Sequence, residues 1–140
     1  MFKRLTYFSF VACLLSGYAV SLENVAGIQM QLLAHSTQSW DGTILPSYPS
    51  GQPEIKILKI TIPPFTKLPM HQHPVMNAGV LLKGKLTVVK ENNEQLDIQA
   101  GDALIELVNT WHYGINKHDT PAEIIVFYAS SKGSDITIKR

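Results

Sequence analysis

Five histidines are the residues of this chain best able to do chemistry: His35, His71, His73, His112 and His118. Two of them form the sequence His71-Gln72-His73. On a β-strand, residues two apart point to the same face, so both imidazoles can reach one ion; on a helix they diverge. Imidazole nitrogen is a ligand for divalent transition metals. An i, i+2 pair alone is weak grounds for a metal site, because such pairs also arise on surfaces by chance. No nucleophile elbow, phosphate-binding glycine loop, acid pair or helical metalloprotease motif accompanies it. Metal-centred chemistry is the only chemistry the chain visibly offers.

The elements that must carry these histidines read as β-structure. Residues 55–62 are rich in β-branched side chains and end at Pro63-Pro64. Further short strands are expected at 78–82, 85–90, 95–99, 103–107 and 123–129. Turn chemistry separates them: Lys83-Gly84, Glu91-Asn92-Asn93-Glu94, Ala100-Gly101-Asp102 and Asp119-Thr120-Pro121. Many short strands without a convincing amphipathic helix imply a sandwich or barrel. The strands at 78–82 and 124–129 are apolar on both faces, so each needs cover on both sides. The barrel interior supplies one cover; residues 22–62 or a second subunit must supply the other, and a homodimer is the expected arrangement.

The spacing around the histidines resembles the two motifs of the cupin superfamily, G-x5-H-x-H-x3-E-x6-G and G-x5-P-x4-H-x3-N. His71, His73 and Gly84 match the first; Gly101, His112 and Asn116 match the second, and sixteen residues lie between Gly84 and Gly101. The resemblance covers about residues 60–129. It implies an all-β jelly-roll barrel with a divalent metal ion near one end. It carries the ligand role onto His71, His73 and His112, and turn roles onto Gly84 and Gly101. Three positions depart from it. Phe65 stands where the first motif has glycine, Leu107 where the second has proline, and Asn77 where the first has its glutamate ligand. Asparagine offers a neutral carbonyl oxygen or does not bind. Either way three neutral imidazoles leave the charge of the ion uncompensated, which favours a ligand that coordinates as an anion. Fe, Mn, Zn, Ni or Cu all suit such a donor set.

Glu106 is the carboxylate nearest His112 in sequence. If it faces the barrel it can serve as fourth ligand or general base. If instead Ile105 and Leu107 face the core, alternation turns it outward as a solvated glutamate, and this second reading is the expected one. Trp111 and Tyr113 should point away from the metal. His35 and His118 read as surface residues, and Trp40 and Tyr48 as surface packing rather than a lid over the barrel mouth.

The chain start reads differently. Lys3 and Arg4 precede a largely apolar stretch over 5–15, and Ala19-Val20-Ser21 is a small-x-small site. This is the pattern of a secretory signal peptide, with cleavage expected after Ser21 or, failing that, Ala19. The stretch is too short and punctuated to span a bilayer. The sole cysteine, Cys13, falls inside it; the four residues ending there only loosely resemble a lipoprotein box, and lipidation is not expected. The resulting organisation is a signal peptide (1–21), an irregular or strand segment packing on the barrel (22–53), the barrel (54–130) and a C-terminal tail (131–140). The protein is expected to be exported, to the periplasm or beyond, with no membrane association once the signal is removed. The chain is 45% apolar and 16% charged with a net charge of +1, which is ordinary globular composition without long-range attraction for nucleic acid. Its expected partner is a small-molecule ligand or substrate. Two readings of function stay open: a small metalloenzyme, or a non-catalytic binder of a small ligand or metal, since fold does not fix function.

Overall fold

The computed structural model describes residues 27–140. The expected signal peptide, its cleavage site and Cys13 lie outside the described residues. Leu32–Arg140 form one compact unit, and residues 27–31 are exposed and carry no strand.

Nine strands follow in order: β1 (Pro53–Ile62), β2 (His71–Gln72), β3 (Met76–Lys83), β4 (Lys85–Lys90), β5 (Gln95–Gln99), β6 (Ala103–Ile105), β7 (His112–Ile115), β8 (Ala122–Ser131) and β9 (Ile138–Lys139). They build two antiparallel sheets, ordered β1-β8-β3-β6 and β5-β4-β7-β2-β9. This is the expected all-β jelly-roll. Each inner face follows the two-residue period of a strand. In β8, Ala122, Ile124, Val126 and Tyr128 are buried, and they pack with Ile62, Leu81, Leu86 and Val88 into one core between the sheets. On the outer face of the same sheet Ile55, Ile57, Leu82 and Phe127 stay exposed. Leu33 and Ala34 border a shallow groove there with Val80 and Ile125.

The turns explain two motif positions. Gly84 takes a φ of 75° between β3 and β4, and a Cβ there would lie 2.5 Å from the Pro121 carbonyl oxygen; only glycine fits. Phe65 also adopts a left-handed backbone, with φ 52°, so the turn of the first motif persists without its glycine.

Three strands escaped the sequence reading. β2 and β7 are two and four residues long, too short for a periodic pattern, and His112 is the first residue of β7. The last ten residues, expected to be a tail, include β9, which pairs with β2.

Candidate metal centre

The three motif histidines meet because β2 and β7 are neighbours. His71 is directly opposite His112 in the antiparallel register, and His73 follows His71 by two residues. Their ring centroids are 4.5 to 5.1 Å apart, and one ring nitrogen from each lies within 4.8 Å of the others. His73 and His112 are buried.

The main chain sets the tautomer of every ring. His71 Nδ1 lies 2.8 Å from the Pro69 carbonyl, His112 Nδ1 2.7 Å from the Thr110 carbonyl, and His73 Nδ1 2.7 Å from the Ile136 carbonyl. A carbonyl only accepts, so each Nδ1 carries the proton and donates it. Each neutral ring is then left with a bare Nε2 lone pair, and that of His112 is buried without a hydrogen-bond partner. Asn77, 4% exposed, adds a second such atom. Its Nδ2 donates to the Val75 carbonyl at 3.4 Å, while its Oδ1 is buried without a partner. A buried unpaired acceptor costs about 1–3 kcal/mol, and two on one cavity wall fit a cation that would pair with both. Burial, with the neighbouring imidazoles of His112 and His71, pushes the His73 pKa down to about 4 against the opposing bond to Ile136. Burial likewise lowers that of His71. Neutral rings at physiological pH are the state that metal ligation needs.

The histidines open onto a cavity of about 390 Å³. Its polar wall holds His71, His73, His112, Asn77, Glu106, Tyr128, Thr137 and Lys139. The registers separate polar from apolar along the barrel. Lys90 pairs with His112 and Asn77 with Tyr128 at one level, whereas Val88 pairs with Gly114 and Val126 with Leu58 two residues further on, then Ile124 with Ile60. The chamber therefore has donor groups at one end and a hydrocarbon lining beyond them.

Glu106 corrects the expectation of a solvated side chain. It lies one residue past the end of β6, and its side chain lines the cavity. Its Oε1 accepts from Trp40 Nε1 at 3.2 Å and from the Leu107 N–H at 2.9 Å, and lies 3.9 Å from Nε2 of His112. Trp40 is consequently part of the site's surroundings, while Tyr48 is exposed. Trp111 and Tyr113 turn away, lying under Arg140 and Lys67 respectively. His35 and His118 are exposed, as expected. Asn116 closes the second motif as a staple. It is fully buried, and its Nδ2 reaches the carbonyls of Ile62, Pro63 and Thr120.

Sequence reading missed Tyr128, Thr137 and Lys139. Tyr128 shares the inward parity of Ile124 and Val126, so its place was available from the alternation of β8. Its ring packs edge-on to His73 at 5.4 Å, and burial together with the Glu106 carboxylate pushes its phenol up to about 12. The alternation of Ile136, Thr137, Ile138 and Lys139 was the only sign that the chain end is a strand.

Comparison with solved structures finds the same fold in several enzymes. An oxalate oxidase in complex with the substrate analogue glycolate aligns with TM-score 0.51 at 20% identity, over 61% of this chain and 45% of that one. A DMSP lyase from Ruegeria pomeroyi gives TM-score 0.54 at 17% identity, over 70% and 46%. A polyketide cyclase from Streptomyces resistomycificus gives 0.50 at 14%, over 61% of each chain. At these identities the likeness is one of fold, and the chain spans under half the length of the oxidase and the lyase. No curated protein matches at a significant level. The family model described as Cupin domain matches residues 58–128, half of the chain, and includes all three clustered histidines together with Asn77 and Glu106. The chain belongs to the cupin family.

Proposed function

We propose that this cupin holds one divalent metal ion on His71, His73 and His112 and acts as a small metalloenzyme on an organic anion. The observation that carries the reading is the set of three Nε2 lone pairs, freed by three main-chain carbonyls and gathered on one cavity wall. Asn77 Oδ1 is the neutral oxygen available as a further ligand. When bound, the ion would supply Lewis acidity without a ligating carboxylate. Glu106, the only carboxylate among the described residues lining the cavity, is placed to accept a proton from the ligand. Lys139 at the same end favours an anionic head group, and the lining of Leu58, Ile60, Val88, Ile124 and Val126 favours an apolar body. Structural relatives are in keeping with metal-dependent work on small molecules: the Bacillus subtilis oxalate decarboxylase, with its Mn(II) centres, shares the fold at TM-score 0.51 and 21% identity, over 61% of this chain and 23% of that one.

Elemental analysis of tag-free protein, wild type beside His73→Ala, tests the site. One equivalent of metal in the wild type and little in the variant is expected. No metal in either, after reloading with Fe(II), Mn, Zn, Ni and Cu, refutes the metal reading and with it the enzyme. Identification of Fe, Mn, Zn, Ni or Cu in the loaded protein then directs the substrate search.

The reading includes export, on the strength of the signal-like pattern over residues 1–21. The intact mass of exported protein should begin just after Ser21; a lipid-bearing mass beginning at Cys13 overturns it. It also includes a homodimer. The exposed Ile55, Ile57, Leu82 and Phe127 on one sheet face support that arrangement, and light scattering that finds only monomer at micromolar concentration removes it.

A further inference from the structure

Two departures from the cupin motifs, Asn77 and Leu107, meet at one residue, Glu106. The Glu106 N–H donates to the Asn77 carbonyl at 3.0 Å, so residue 106 sits beside residue 77 on the neighbouring stretch of sheet. Position 77 has lost the motif's carboxylate; position 106 presents one to the same cavity. The proline that the second motif places at 107 has no N–H. Leucine there does, and that N–H donates to Glu106 Oε1 at 2.9 Å. The second donor on that oxygen, Trp40 Nε1, comes from a loop secured to the same strand end. Ser39 Oγ donates to the Glu106 carbonyl at 2.9 Å, and the Trp40 N–H donates to the Ile105 carbonyl at 2.9 Å. An ion pair of 2.8 Å between Asp41 and Lys90 ties the loop to β4. Two neutral donors on one oxygen fix the orientation of the carboxylate.

We infer that Glu106 is the carboxylate of this site, transferred from position 77, and that it compensates the charge of the ion from beside it rather than as a ligand. Leu107 and Trp40 are its positioning residues. The inference rests on the three-histidine reading. The outer placement follows from distance: Oε1 is 3.9 Å from His112 Nε2, yet the carboxylate does not join the group of donor atoms that lie within 4.8 Å of one another.

The test is calorimetric titration of Zn(II) into wild type, Glu106→Gln, Leu107→Pro, Trp40→Phe and the corresponding double variants with Glu106→Gln. Glu106→Gln should keep a stoichiometry of one and weaken binding about 10- to 100-fold, the usual effect of removing an outer partner of a metal site. Leu107→Pro and Trp40→Phe should each weaken binding severalfold in the wild type and have no effect once Glu106 is Gln. A merely structural role would persist in both backgrounds. If Leu107→Pro does not fold, the Trp40→Phe cycle carries the test. Loss of stoichiometric zinc in Glu106→Gln makes Glu106 a ligand and overturns its placement. Unchanged affinity in Glu106→Gln, with the wild type binding normally, overturns the inference alone. Failure of the wild type to bind zinc overturns the three-histidine reading as well. The double variant Asn77→Glu, Glu106→Gln should recover affinity by returning the carboxylate to the motif position.

Discussion

Neutral, buried imidazoles make the metal-free protein sensitive to acid in a definite window. Burial holds the folded-state pKa of His73 at about 4, against 6.5 for an ordinary histidine. Above pH 6.5 the ring is neutral in both folded and unfolded chains, and stability is independent of its titration. As pH falls below 6.5 the unfolded chain takes up a proton that the folded chain refuses, so stability declines until the folded ring also titrates near pH 4. Between pH 7.5 and pH 5 the linkage amounts to about 2 kcal/mol from this one residue. His71, also lowered by burial, adds to it with the same sign. The assay is urea unfolding of chelator-treated protein across this range, wild type beside His73→Asn, whose amide can still donate to the Ile136 carbonyl. The wild type should lose about 2 kcal/mol more than the variant on going to pH 5. Parallel pH profiles for the two proteins would refute the claim that His73 is held neutral by its surroundings.

The hydrocarbon end of the chamber should be legible in a homologous series. For straight-chain carboxylates from acetate to octanoate, affinity for the metal-loaded protein should rise about fourfold per methylene, at about 0.8 kcal/mol each, and the matching amides should bind more weakly; a flat series, or equal binding of acids and amides, contradicts the proposed ligand class. Phe65 holds a left-handed φ of 52° with its side chain 73% exposed, so Phe65→Gly should raise unfolding stability by about 1 kcal/mol, and a loss of stability in urea would show that its ring packs usefully. Truncation after Ser131 removes the Ile136 carbonyl that fixes His73 and the β9 pairing beside His71, so zinc affinity should fall about 10- to 100-fold while the far-ultraviolet circular dichroism stays β; unchanged affinity would remove the chain end from the site.

The histidine triad was legible because its signal is local and double. The i, i+2 pair marks one face of a strand, and the spacing to His112 and Asn116 repeats a known motif. The long strands were legible for a similar reason, since β1, β4 and β8 present enough residues for β-branched composition to stand out. What stayed hidden depends on pairing between distant segments. β2 and β9 have two residues each, and they exist as strands only because β7 and β2 lie beside them. Glu106 was misread because burial of Leu107 and inward facing were treated as one property. Leu107 is fully buried, yet Glu106 lines the cavity beside it: both lie beyond Ile105, the last residue of β6, where strict alternation between neighbours no longer holds.

The positions that break the motifs follow a physical order. Phe65 costs only local backbone strain, because its side chain is exposed and the turn keeps its shape. Asn77 and Leu107 act together. Loss of a ligating carboxylate would leave two positive charges facing neutral nitrogens in a cavity lined largely by hydrocarbon, where desolvated charge is strongly disfavoured. A carboxylate one strand away offsets that charge without occupying a coordination position, provided it is held still. Held still, in this barrel, means a main-chain N–H at 107 and an indole N–H from residue 40. A proline at 107 with asparagine at 77 would leave the first requirement unmet. The residues at 77, 106 and 107 are therefore expected to change as a set, and the loop carrying Trp40 with them, because each is useful to the site only when the others are present.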